Sequence, residues 1–191
     1  MNLVFKIMRR LIMLQRKLII KWLLYYYKVL YKERINVDST MKFGKDFSIF
    51  FDATNSSVDI GENVQLRDYC QIRSGRNGIL KIGKNVFFNN SCSINCFGNI
   101  EIGNNCQFGE AVKMYDVNHK YKDTTIIISE QGYSDGKIII GDNCWIGSNV
   151  TILKGVTLGD NVVVGADCLL YQSIPSNTVV MKKQDLIYKN I

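Results

Sequence analysis

The sequence has one proline and one histidine among its 191 residues. With a single proline, long irregular stretches are not expected. No run of 18 apolar residues occurs, so no simple membrane-spanning helix is expected. The basic start lacks a small-residue cleavage site after a compact apolar run, so no secretory leader is expected either. Six cysteines are present but no CxxC pair, which argues against a zinc knuckle or a dithiol redox motif.

Charge is present, but unevenly. Residues 1–35 hold nine Lys/Arg (Lys6, Arg9, Arg10, Arg16, Lys17, Lys21, Lys28, Lys32, Arg34) against the single acid Glu33, a net +8. The whole chain is +7, so residues 36–191 carry about −1. The basic character therefore belongs to an appendage. On a helical projection its basic residues gather on one side, and Leu11, Leu14, Leu18, Trp22, Tyr26 and Val29 help to cover the rest. Such a helix lies on an anionic membrane surface or buries its apolar face against the end of the main domain, and the two are compatible. No known nucleic-acid module accompanies it, so nucleic-acid binding is not expected.

The main signal is an internal repeat of six. Large apolar residues stand at Ile60, Leu66, Ile72; Ile82, Phe88, Ile94; Ile102, Phe108, Met114; Ile140, Ile146, Ile152; and Leu158, Val164, Leu170. Glycine often follows the repeat residue, and a valine or cysteine comes four positions after it. A weaker copy begins at Phe43-Gly44. A period of six fits neither a helix nor a simple alternating strand. It fits a short strand plus a corner, three of which make one triangular coil of 18 residues. Coils then stack as parallel strands roughly 4.8 Å apart, each burying its face only against its neighbours. Glycine or a polar residue is expected at the tight corner, where positive φ is often needed. The predicted fold is an all-β, parallel β-helix with an N-terminal amphipathic helix and one long loop. Known prisms of this period are left-handed, against the usual crossover rule.

Three slips in phase mark insertions: four residues between Ile72 and Ile82, two between Ile94 and Ile102, and twenty between Met114 and Ile140. Insertions in a solenoid leave at corners as loops, often on the functional face. The long loop, about residues 115–137, carries the one histidine, His119. A lone histidine is more often incidental than catalytic, but this one sits on the only large insertion, and histidine suits general-base work near neutral pH. One histidine is too few for the three-histidine zinc site of carbonic anhydrases built on such prisms. Five cysteines (Cys70, Cys92, Cys106, Cys144, Cys168) fall at the inward valine position and read as small core hydrophobes, with only Cys96 out of place. A reducing cytosol follows as the expected compartment.

The run from Ile138 to Ala166, with Cys144-Trp145-Ile146-Gly147-Ser148 at its centre, and the Ser173-Ile174-Pro175 ending resemble the hexapeptide-repeat acyltransferases. The likeness covers roughly residues 58–180 and is closest to the maltose, galactoside and capsule or lipopolysaccharide O-acetyltransferases. It implies acetyl-CoA as co-substrate, no metal, and a homotrimer with sites between adjacent prisms. His119, seven residues after Val112, matches the family's general base, which takes a proton from the acceptor hydroxyl. Ser148 matches the residue whose backbone N–H holds the developing oxyanion. Gly147, Gly165 and Ala166 lie where the pantetheine arm runs. Asn89 and Trp145 match the acceptor side, and Asp116 either orients the base or binds the acceptor. Relatives carry a second histidine where Val117 stands. They also end on a Gly-Asn-Pro-Ala-like turn where this chain reads Val180 to Asp185. Lys182 and Lys183 there either meet the CoA phosphates or are simply solvated.

The organisation expected is a basic helical segment over 1–35, an acyltransferase β-helix over 36–180 with the loop 115–137, and a tail over 181–191. The expected function is transfer of acetyl from acetyl-CoA to a sugar hydroxyl in surface polysaccharide or lipopolysaccharide synthesis. The expected location is the cytoplasm, with peripheral contact to the inner face of the membrane. The alternatives are an amino-sugar N-acetyltransferase, a serine acetyltransferase, or a catalytically silent scaffold. Serine enzymes carry a longer helical N-terminal domain than 35 residues supply.

Overall fold

The computed structural model describes residues 15, 18, 19 and 21–183. Parts of the basic segment 1–35 and of the tail 181–191 therefore lie outside the described residues. The chain winds as a left-handed β-helix of about six turns. Three parallel sheets of six, seven and six strands form its faces. On the first face Ser57–Ile60, Ile79–Ile82, Asn99–Ile102 and Lys137–Ile140 stack in register. The second face stacks Phe87–Phe88, Gln107–Phe108, Trp145–Ile146 and Val163–Val164. The third stacks Gln71–Ser74, Ser93–Cys96, Lys113–Tyr115 and Thr151–Leu153.

Strand alternation explains the repeat. In each two-residue strand of the second face the second side chain points inward and the first outward. All fifteen repeat residues are buried, as are the valines and cysteines four positions later. Like stacks on like along the axis. Phe88 and Phe108 lie with ring centroids 4.5 Å apart and planes 8° from parallel. Every cysteine is buried and free. Four thiols donate to corner carbonyls of the next coil: Cys70 to Asn89, Cys92 to Gly109, Cys106 to Gly141 and Cys144 to Gly159, at 3.1–3.2 Å. Cys96, outside the repeat position, is buried too, beside Asp116. Burial first, and then that carboxylate, push its thiol up.

The corners between the first and second faces follow the polar half of the expectation. The left-handed residue between the first and second faces is not the repeat glycine but the asparagine two positions on: Asn63, Asn85, Asn105, Asn143, Asn161 and Asn177, with φ between 55° and 60°. Asparagine tolerates this region, and its carboxamide also bonds to the next one down, as Asn143 does to Asn161 at 2.8 Å. The glycine serves close approach instead. A Cβ on Gly103 would lie 2.7 Å from the carbonyl carbon of Gly141 in the next coil.

All three insertions leave by one edge, between the third and first faces. The two shorter ones make tight bends at Gly75–Gly78 and Phe97–Gly98. The three buried polar residues among those described, Ser56, Ser74 and Asp116, sit along this edge. Ser56 Oγ donates to the Ser74 carbonyl, and Ser74 Oγ to the Gly78 carbonyl, both at 3.2 Å. At the N-terminal end a helix, described over 21–31, lies across the first coil. Leu24 and Tyr27 are buried against the core, with Leu23 and Tyr31 packed beside them. Tyr27 Oη accepts from the Ile49 N–H at 3.2 Å, satisfying an amide of an end coil.

Candidate active site

The long loop begins and ends as a two-stranded antiparallel hairpin. Val117–His119 pairs with Tyr133–Asp135, with His119 opposite Tyr133. Sequence reading missed this pairing and with it Tyr133. The His119 ring rests on the Tyr133 ring at 4.5 Å between centroids, and the Phe97 ring lies 6.3 Å from that of Tyr133. His119 itself is exposed and opens into a cleft of about 640 Å³. Asn118, Lys120, Tyr121, Ser134 and Lys154 are among its walls.

Two anchors hold the hairpin to the prism. Lys154 Nζ donates to Ser134 Oγ at 2.6 Å and to the Ser134 carbonyl at 3.1 Å. Asp116 is fully buried at the hairpin's root. Its Oδ1 accepts from the Phe97 N–H at 2.8 Å and its Oδ2 from the Gly98 N–H at 2.9 Å, while its carbonyl accepts from the Gly136 N–H at 2.7 Å. Burial raises the carboxyl above its ordinary value, against the two amides that favour its charged form. This corrects the assignment of Asp116 to acceptor binding. Both its oxygens are taken within the chain, and it reaches neither solvent nor the His119 ring.

Ser148 and Ala166 lie on a different edge, between the second and third faces. The edge between the first and second faces shows what is normal for such a corner. There the N–H of Lys84 is capped by Asn104 Oδ1, that of Asn104 by Asp142, that of Asp142 by Asp160, and that of Asp160 by Ser176 Oγ, at 2.6–3.0 Å. On the Ser148 edge, Asp68 caps the Lys45 N–H at 2.8 Å and Ser148 Oγ caps the Glu110 N–H at 3.2 Å. Then the caps stop. The Ser148 N–H has no partner among the described residues, because the next side chain down belongs to Ala166 and holds no acceptor. The Ala166 N–H is also uncapped. Glu62 and Asp68 share this state, but each is followed by a capped amide in the next coil.

The glycines keep these donors open. A Cβ on Gly109 would lie 2.5 Å from the Ser148 nitrogen, and one on Gly147 would lie 2.6 Å from the Ala166 nitrogen. A Cβ on Gly165 would meet nothing closer than Met181 Cγ at 3.3 Å. The Gly165 N–H donates to the Val180 carbonyl at 2.8 Å, so Lys182 and Lys183 continue down the same edge, both exposed. Trp145, 59% exposed, faces outward from the strand just before Ser148. Asn89 stands two coils above on this edge, its Oδ1 accepting from the Asn90 N–H at 2.9 Å and from Arg67 at 3.2 Å.

The residues singled out in the sequence thus form two groups. Asn89, Trp145, Gly147, Ser148, Gly165, Ala166, Lys182 and Lys183 share one edge. His119 projects from another. Within one chain the candidate base and the candidate oxyanion donor do not meet.

Comparison with known proteins agrees with the coil pattern. Residues 137–172 match the family model described as the hexapeptide repeat of succinyl-transferase. Over these coils the chain is similar to the hexapeptide-repeat acyltransferases. Two relatives in this group are acetyltransferases by provisional assignment. One, from Mycobacterium tuberculosis, is 29% identical over 147 residues, which cover 77% of this chain and 49% of that protein. The other, from Escherichia coli, is assigned to lipopolysaccharide biosynthesis as an O-acetyl transferase. It is 29% identical over 133 residues, covering 66% of this chain and 68% of its own length. Among solved structures, a maltose O-acetyltransferase from Clostridium difficile superposes with a TM-score of 0.54 at 26% identity, covering 81% of this chain and 69% of that one. The chain therefore spans about half the length of the mycobacterial relative and about two thirds of the other two.

Proposed function

We propose that this chain is an acetyl-CoA-dependent O-acetyltransferase whose acceptor is a sugar hydroxyl of surface polysaccharide or lipopolysaccharide. The observation that carries the reading is the pair of consecutive uncapped amides at Ser148 and Ala166, on an edge where Lys45, Asn90 and Glu110 have side-chain caps. Ser148 is half-buried and Ala166 exposed, so both N–H groups stand open to a ligand that supplies acceptors. A thioester carbonyl and the amide carbonyls of a pantetheine arm are acceptors of the required kind. Lys182 and Lys183, further down the same edge, suit the phosphates of the same ligand.

In this reading acetyl-CoA supplies an electrophilic thioester carbonyl. His119 takes the proton from the acceptor hydroxyl as that oxygen bonds to the carbonyl carbon. The Ser148 N–H holds the charge that develops on the carbonyl oxygen, a contribution of about 3 kcal/mol for one fixed donor. The carbon–sulfur bond then breaks, and the departing thiolate recovers the proton from His119. Because the base and the donor stand on different edges, a second copy of the chain completes each site. Ile126, Ile127 and Ile128, exposed at 44%, 64% and 55% on the loop beyond His119, suit contact with such a neighbour. A homotrimer, with three grooves between prisms, closes this arrangement.

The test is a thermal melt with acetyl-CoA, with ATP as control, followed by an acceptor screen on hydroxyl and amine sugars. Saturation at about 100 times Kd stabilises by about 2.7 kcal/mol. A rise with acetyl-CoA alone, and an ester product that His119→Ala lowers by about 10²–10⁴-fold in kcat, supports the reading. No rise at millimolar acetyl-CoA, or unchanged transfer by His119→Ala, overturns it.

A further inference from the structure

The N-terminal helix has two apolar faces, and the prism covers only one. Leu23, Leu24, Tyr27 and Tyr31 point down onto the first coil. At 3.6 residues per turn, Leu18, Trp22, Tyr25, Tyr26, Val29 and Leu30 span the opposite arc of about 140°. All six are exposed, Trp22 at 65% and Tyr25 at 68%. Lys21 and Lys28 run along one flank of this arc, and Lys32 is exposed just beyond the helix.

We propose that this outer face is a docking surface for an anionic lipid bilayer, on which the helix lies flat. Among the described residues no helix is long and apolar enough to cross a membrane, and the contact proposed is interfacial because the opposite side of this helix is held against the prism by Leu24 and Tyr27. Tryptophan and tyrosine beside lysine is the composition that settles at the boundary between headgroups and acyl chains. Trp22 and Tyr26 stack with ring centroids 5.8 Å apart, presenting one continuous aromatic surface. Charge selects the occupant. Residues 1–35 carry +8 and the rest of the chain about −1. A second copy's helix repels this face and a second copy's body hardly attracts it, whereas an anionic headgroup layer complements it. Docked this way, the prism axis rises from the membrane. At about 4.8 Å per coil, Ser148 on the fifth coil stands roughly 20 Å from the first. The surface does not depend on the acetyltransferase reading.

The experiment is co-sedimentation of the full chain with phosphatidylcholine vesicles, with and without phosphatidylglycerol. Binding is expected to the anionic vesicles only and to weaken in high salt. Each lysine near an anionic surface contributes about fivefold to partitioning. Lys21→Gln, Lys28→Gln and Lys32→Gln together therefore lower it about 100-fold. Trp22→Ala with Tyr25→Ala lowers it at least tenfold at an unchanged melting temperature, since both side chains are exposed. Absence of binding, equal binding to neutral vesicles, or binding indifferent to both variants overturns the proposal. So does a fall in particle mass by light scattering in Trp22→Ala with Tyr25→Ala, which would show that a second copy covers the face.

Discussion

Ala166→Ser puts the two meanings of the Ser148 edge in opposition. Elsewhere on the prism a serine, asparagine or aspartate caps the corner amide of the coil above, as Ser148 Oγ does for Glu110 at 3.2 Å and Ser176 Oγ for Asp160 at 3.0 Å. A serine at 166 stands beneath the uncapped Ser148 N–H in the same relation. The cap is a net hydrogen bond of about 1 kcal/mol, which for a chain of this size raises Tm by roughly 2–4 °C. The same bond occupies the donor assigned to the developing oxyanion, whose loss costs about 10²–10³ in kcat. The expected protein is thus slightly more stable and nearly inactive. Melting curves without ligand give the first quantity, and steady-state transfer at saturating acetyl-CoA gives the second. A stabilised variant with kcat within threefold of the parent refutes the role given to Ser148. A raised KM for acetyl-CoA with unchanged kcat refutes it too, because the added hydroxyl would then act only by crowding the pantetheine arm.

Asp116 gives a pH signature. Burial raises its carboxyl above its ordinary 3.8, so the native state keeps this proton to a higher pH than the unfolded chain. The stabilising share is fully present below 3.8 and is lost as pH rises through the native value. Urea unfolding of the parent and of Asp116→Asn should show a stability difference, parent minus variant, that falls as pH rises from about 3.5 to 6; a flat or rising difference contradicts the assignment. Asp116→Ala, which leaves the half-buried Phe97 and Gly98 amides without their acceptors, should cost about 2–3 kcal/mol in the same assay. Phe108→Ala opens a cavity against Phe88 and should cost about 3–5 kcal/mol by urea unfolding. A cost below 2 kcal/mol would mean that neighbouring coils collapse into the gap.

How much of this was legible in the sequence follows from what kind of pattern each feature leaves. The coils repeat, so Ile60 through Leu170 announce their inward positions many times over, and all are buried. The cysteines were readable for the same reason, since valine alternates with them at one register. The hairpin leaves no such trace. Val117-Asn118-His119 and Tyr133-Ser134-Asp135 show no shared periodicity, and their pairing is fixed by Asp116 and Lys154, which bind main-chain and side-chain atoms far away in sequence. Asp116 itself reads as a surface acid beside a candidate base, and nothing local reveals that two amides enclose it. The uncapped edge was readable in principle. Down the corner column Lys45, Asp68, Asn90, Glu110 and Ser148 are all polar, and Ala166 is the first that is not.

Every added residue in the coils leaves by the edge between the third and first faces, and this separates two kinds of inheritance. The other two edges keep an unbroken period, so pairing between coils is indifferent to how long the loop beyond His119 becomes. Substitutions and length changes in 120–132 can rewrite what the cleft admits, while the Ser148 edge, whose shape depends on strict stacking, stays as it is. Under the proposed function, acceptor choice and donor chemistry would then vary independently within one chain, and a new acceptor would not require rebuilding the surface proposed to hold the acyl donor.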